Sequence, residues 1–170
     1  MGRLGFTLLV LGGGLWAVPA ADPPADRKAD RAKVREQFYG VWLEEAKTEG
    51  GKHSTEPFGL CGLEFEEEKW SAWDRRGELS AARADRGVRI DPSADPMRVD
   101  FLDGTDSIKP GIFKFDGGKL VLALPAAWVK ERALRKGDDY PIRPKTFEST
   151  KSNGVIVTIH RRGRAMYDQD

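Results

Sequence analysis

Hydrophobic side chains recur at every second position along most of the chain after Gly40, and this period of two constrains its fold more than any other feature. Cys61, Leu63 and Phe65 alternate with Gly62, Glu64 and Glu66. Met97, Val99 and Phe101 alternate with Arg98 and Asp100, and Val155, Val157 and Ile159 with Ile156, Thr158 and His160. Successive side chains of a strand point to opposite faces, so each segment reads as a half-buried strand with one wet face. On this reading Val155, Val157 and Ile159 point inward and His160 lies on the outer phase. Val41 to Lys47 and Lys69 to Trp73 fit the same description, with Glu78 to Ala82 as a further strand beyond the turn Asp74-Arg-Arg-Gly77. Gly111 to Leu124 reads as a hairpin with Phe113 and Phe115 on one face, Asp116-Gly117-Gly118 as the turn, and Leu120, Leu122 and Leu124 on one face of the second strand. Roughly eight such strands must close their apolar faces on something. A small antiparallel up-and-down β-barrel does so and removes exposed strand edges.

Ahead of the strands, Asp30 to Tyr39 has helix-forming composition, with Val34 and Phe38 four apart on one side and Gly40 as the stop. Residues 21–30, with Pro23-Pro24 and mixed charge, read as a linker. Residues 1–20 have the form of a secretory signal: Arg3 near the start, an apolar run from Leu4 to Val18, and Val18-Pro19-Ala20 before a cut near Ala20. That run is shorter than the ~20 residues that span a bilayer, and no cysteine stands at the cut to carry a lipid. The barrel with its helix is thus expected over 31–164 and a C-terminal tail over 165–170. The expected destination is the periplasm or the exterior. Arg3 is the only charge in residues 1–20, so their removal takes the formal net charge from +1 to zero. A near-neutral chain has no general attraction for nucleic acid or anionic membrane, and neither is expected as a partner. One cysteine, Cys61, cannot form an internal disulfide, so the core alone must hold the fold; Cys61, in phase with Leu63 and Phe65, reads as buried.

Gly40-Val41-Trp42, just after a short helix and opening the first strand, resembles the G-x-W start of lipocalins. In that superfamily the tryptophan covers one end of the barrel and a basic residue of the last strand lies against it. Arg161 or Arg162 is placed to do this, and Arg161 is taken as the basic partner of Gly40 and Trp42. More of the chain, from about Gly40 to Arg162, is similar to an uncharacterised lipocalin-like family multiplied in planctomycete bacteria. The resemblance rests on Gly40-Val-Trp42, on Ile90-Asp-Pro-Ser-Ala-Asp-Pro96 leading into Met97-Arg-Val-Asp-Phe101, on the Gly111–Leu120 hairpin, and on Arg143-Pro-Lys-Thr-Phe147. It implies an exported barrel and carries no established ligand or activity. Phe113 stands where that family commonly has tyrosine, and Ala123 where cysteine is frequent. The connection from Pro125 to Ile142 is longer than usual, and Ala126 to Leu134 reads as a helical turn or two where a lid would lie.

Catalytic chemistry finds little support. His53 and His160 lack the spaced partners of a zinc site. Glu64, Glu66, Glu67 and Glu68 read as a solvated edge rather than a paired-carboxylate acid and base. Ser71, Ser80 and Ser107 have no G-x-S-x-G context, and Asp103-Gly-Thr-Asp106 lacks the ligand spacing of a calcium loop. No metal, cofactor or catalytic residue is expected. The aromatics remain: Trp42, Trp70, Trp73, Phe101, Phe113 and Phe115, with Leu122 and Arg143, are candidates for barrel lining or rim. Trp70 and Trp73 face opposite ways in a regular strand, which puts one of them at the surface or rim. Arg143 is read as a structural partner of Asp or Glu, or else as a charge aimed at a ligand. Three classes follow: a non-enzymatic binder of a small apolar or amphipathic molecule, a cell-envelope interaction module with a packed barrel, and an extracellular enzyme of unknown type.

Overall fold

The computed structural model describes residues 25–55, 60–74, 86–104, 107–130 and 143–164. The signal-like residues 1–20, the strand read at Glu78–Ala82, the tail 165–170 and the side chain of Cys61 lie outside the described residues. The elements in chain order are α1 (Ala25–Phe38), β1 (Gly40–Glu49), β2 (Lys52–Ser54), β3 (Leu60–Glu66), β4 (Lys69–Asp74), β5 (Arg86–Asp91), β6 (Arg98–Asp103), β7 (Ser107–Asp116), β8 (Lys119–Pro125), β9 (Val129–Lys130) and β10 (Val155–Arg162).

Strands β1, β3 to β8 and β10 pair antiparallel in that order, and β10 returns to β1, so the sheet closes into the expected up-and-down barrel. Short β2 and β9 add to β1 and β7 at one end. The hairpin read from Gly111 to Leu124 is β7–β8, with Phe113 opposite Leu122 and Phe115 opposite Leu120. Its turn residues Gly117 and Gly118 hold φ of 57° and 80°, the mirror-image turn whose twist matches the strands. The β4–β5 seam is narrow, with Lys69 opposite Gly87 as its one registered pair.

The helix plugs one end. Phe38, fully buried, packs at 4.5 Å from the Phe65 ring and 4.8 Å from Phe113. With Trp42, Val99 and Leu120 they fill the half of the barrel nearest α1. Burying each such side chain contributes about 1.5–3 kcal/mol, which is how a helix of largely polar composition is held there. The helix begins at Ala25, inside the stretch read as linker, because Ala25-Asp-Arg-Lys-Ala29 continues the helix-forming composition behind Asp30.

The last strand corrects the phase inferred from its sequence. Ile156, Thr158 and His160 face the interior, whereas Val155 and Val157 pack outside against Ile112, Val121 and Ala123, with Ile159 and Phe147 beside them. The segment 143–154 lies along this outer face and buries it, so β10 is covered on both sides and its valines need not point inward. His160, read as outer, is therefore only 2% exposed.

Arg143 anchors that segment. Its guanidinium donates to the Gly111 carbonyl at 2.6 Å and to the Asp100 carboxylate at 2.5 Å. Burial pushes the Asp100 carboxyl above its ordinary range, and Arg143 opposes that shift. Gly111 allows the close packing on the inner side, since a Cβ there would stand 2.3 Å from Leu124 Cδ2.

Candidate ligand cavity

The barrel half opposite α1 is hollow. Its cavity of about 230 Å³ is walled by Leu63, Trp70, Phe101, Leu122, Leu124 and Ile156, with Trp128 at the edge. Trp70 is fixed there by its Nε1, which donates to the Leu102 carbonyl at 3.1 Å, and by an edge-on contact with Phe101 at 5.2 Å. Arg86 lies over the Trp70 ring at 4.6 Å and pairs with Asp103 across the β5–β6 ladder. Trp128, 39% exposed, stacks on Trp70 with centroids 6.2 Å apart and planes 20° from parallel. Lys109 lies 5.7 Å from the Trp128 ring centre.

Glu44, Lys47, Lys109, Thr158 and His160 interrupt this apolar wall. A bulge in β1 at Glu45 brings both Glu44 and Lys47 inside, which a regular strand would place on opposite faces. Glu45, turned outward, pairs instead with Lys119 at 2.6 Å and Arg161 at 3.7 Å. Burial pushes the Glu44 carboxyl up, against the pull of Lys47. It pushes the Lys109 ammonium down, with Lys47 adding to that shift. Desolvation lowers the His160 imidazole to about 4, so the ring is neutral at physiological pH. His160 Nε2 shares a 2.9 Å hydrogen bond with Thr158 Oγ1. Its Nδ1, and Oε1 of Glu44, are buried without a hydrogen-bond partner among the described residues.

The residues singled out in the sequence divide between this cavity and other places. Trp70, Phe101 and Leu122 line the cavity. Trp42 and Phe113 are buried in the packed half, and Phe115 packs beside Trp42 at 5.9 Å. Trp73 does face away from Trp70, but it is not at the surface: it is 2% exposed and lies over the outer side of Gly62, where a Cβ would stand 2.8 Å from its ring. The absence of a side chain at Gly62 is what leaves room for the indole there. Arg143 sits outside the barrel in its pair with Asp100.

The G-x-W arrangement forms with Arg162, not Arg161. The Arg162 guanidinium carbon is 4.7 Å from the Trp42 ring centre, and a Cβ on Gly40 would stand 3.3 Å from Arg162 Nη1. Arg161 points outward to Glu45 because β10 has the reversed phase. Residues 126–130 are a bend followed by β9 rather than a helix, and 131–134 lie outside the described residues. His53 is exposed and meets Thr48 Oγ1 at 3.1 Å.

Glu44, Lys47, Lys109, Thr158 and His160 were missed as site residues. Two of them carried a signal: Glu44 shares the phase of Trp42, and Lys109 that of Phe113 and Phe115. Among the described residues no group of three or more His, Cys, Asp or Glu is arranged to hold a metal ion, and no helix is long and apolar enough to cross a membrane.

The fold and cavity define a class, a small lipocalin-like barrel closed by a helix at one end and hollow at the other. No family model, curated protein or solved structure matches the chain.

Proposed function

We propose that this protein is an exported, non-enzymatic lipocalin-like barrel that binds a small amphipathic molecule in the hollow half of its interior. The observation that carries this reading is the contrast within one barrel: tight aromatic packing beside α1, and an apolar-walled cavity of about 230 Å³ with inward polar groups at the other end. Sites for small molecules have this mixture of apolar wall and a few placed polar groups. The signal-like residues 1–20 support export to the periplasm or beyond, and the ordered motifs from Gly40 to Arg162 support kinship with the planctomycete lipocalin-like family. The test is a titration of intrinsic tryptophan emission with a small lipid-like probe. Saturable quenching is expected, because Trp70 and Trp128 border the cavity.

A second reading, an interaction module of the cell envelope, draws on Trp128, the one large hydrophobic side chain that is exposed among the described residues. On that reading emission stays unchanged at high probe concentration, and Trp128→Ala weakens a protein contact without affecting small-molecule binding.

A further inference from the structure

Resting on that reading of the cavity, we infer that Glu44 and His160 together select a ligand carrying a hydroxyl group, whose apolar body lies against Trp70, Phe101 and Leu122. The two residues are direct cross-strand partners on β1 and β10 and both face the cavity. His160 is 2% exposed, and its Nδ1 and the Oε1 of Glu44 are buried without a hydrogen-bond partner among the described residues. Folded proteins leave few buried polar atoms unmet, and two on neighbouring residues facing one cavity mark a place where a ligand supplies the partner. His160 Nε2 already meets Thr158 Oγ1 at 2.9 Å, which leaves Nδ1 as the ring atom to satisfy.

The chemistry of these atoms narrows the ligand. A hydroxyl donates one hydrogen bond and accepts others, so a single group can donate to Glu44 Oε1 and accept from His160 Nδ1–H while Thr158 Oγ1–H donates to Nε2. A carboxylate only accepts, and it would face the Glu44 carboxylate. An ammonium only donates, and it would share the cavity with Lys47 and Lys109. The hydroxyl therefore meets both orphan atoms without placing a new charge in a site with poor solvation.

The test compares four ligands of one shape, benzyl alcohol, benzoate, benzylammonium and toluene, titrated near pH 7.5 against the full chain by ligand-observed NMR, with nitrogen spectra of the histidine-labelled protein recorded alongside. Benzyl alcohol is expected to bind about tenfold or more tighter than toluene and tighter than either ion, and to shift the His160 Nδ1 nitrogen resonance. In the double variant Glu44→Leu/His160→Leu, which removes both orphan atoms, the alcohol is expected to lose its advantage over toluene, because its hydroxyl would be buried without those partners. The wild-type ranking stands as a test whether or not that variant folds. If toluene binds but the alcohol has no advantage, if an ion binds tightest, or if the double variant keeps the preference, the hydroxyl assignment is overturned while the binding function stands. If none of the four binds, both fall.

Discussion

Arg162 lies over the Trp42 ring at 4.7 Å and donates hydrogen bonds to the carbonyls of Gln37 and Tyr39, while Trp42 Nε1 donates to the Phe38 carbonyl at 2.8 Å. First strand, last strand and the end of α1 are thereby joined at one point. The carbonyls at a helix C-terminus lack partners within the helix, and a planar cation can serve two of them while stacking on an indole.

Replacing Arg162 by Ala is expected to lower stability by about 1–2 kcal/mol in urea unfolding, from the cation–π contact and the charged hydrogen bonds combined. Arg162→Lys should recover only part, because an ammonium cannot span two carbonyls and the ring together. Arg161→Ala, which removes an exposed 3.7 Å pair with Glu45, should change stability by less than about 0.5 kcal/mol.

Gly111→Ala puts a methyl 2.3 Å from Leu124 Cδ2 and 2.9 Å from the Ala123 carbonyl oxygen. The expected loss is about 1–3 kcal/mol, read from the shift in denaturation midpoint. Adding Leu124→Ala should relieve the side-chain clash but not the backbone one, so the double variant is not expected to regain the stability of Leu124→Ala alone.

Arg143→Met leaves the Asp100 carboxylate buried without its cation and is expected to cost about 3 kcal/mol. Arg143→Met/Asp100→Leu, which removes both charges, should be more stable than Arg143→Met. Because Arg143 anchors the segment 143–154, hydrogen exchange of the Val155 and Val157 amides should rise most in the single variant.

The neutral buried His160 gives a signed pH dependence. Its pKa is lowered from 6.5 to about 4 on folding, so between these values the unfolded chain binds the extra proton. The His160 contribution is fully present above pH 6.5 and is lost as pH falls toward 4, by roughly 3 kcal/mol in total. Glu44 acts in the opposite sense: its raised pKa makes the folded state take up a proton first, so its contribution rises as pH falls. Burial pushes the Lys109 ammonium in the same cavity down as well, and Lys109 is common to every variant compared. In the Glu44→Gln background, adding His160→Leu should reduce the dependence of chemical denaturation on pH across 4–6.5, and the difference between the two chains is the His160 contribution, since the raised carboxyls of Asp100 and Glu64 are common to both.

Much of this architecture was legible in the sequence. Leu63, Phe65, Val99, Phe101, Phe113, Phe115, Leu120 and Leu122 fall on the inner face that their alternation predicts. In β10 the alternation was ambiguous, since Ile156 is as apolar as its neighbours. Putting Val155, Val157 and Ile159 inside turns His160 outward, and the observed phase instead brings His160 inside and Arg162 over Trp42. Covering by the distant segment around Phe147 decided the phase, and no local pattern records that. Lys47 enters the cavity only because Glu45 bulges, which alternation likewise cannot foresee. Strand β5 was not singled out: Arg86 shares the face of Val88 and Ile90, which leaves that face only two apolar residues.

The account depends on the interior opposite α1 being open to a ligand. The most direct measurement is the binding isotherm of a small apolar fluorescent probe on the wild-type chain and on Ile156→Trp, which adds bulk at the cavity wall opposite Leu124. Saturable binding to the wild type, with loss of about tenfold or more in affinity in the variant at an unchanged near-ultraviolet circular dichroism spectrum, is the predicted result. Equal binding by both chains would place the probe elsewhere on the molecule and contradict the account.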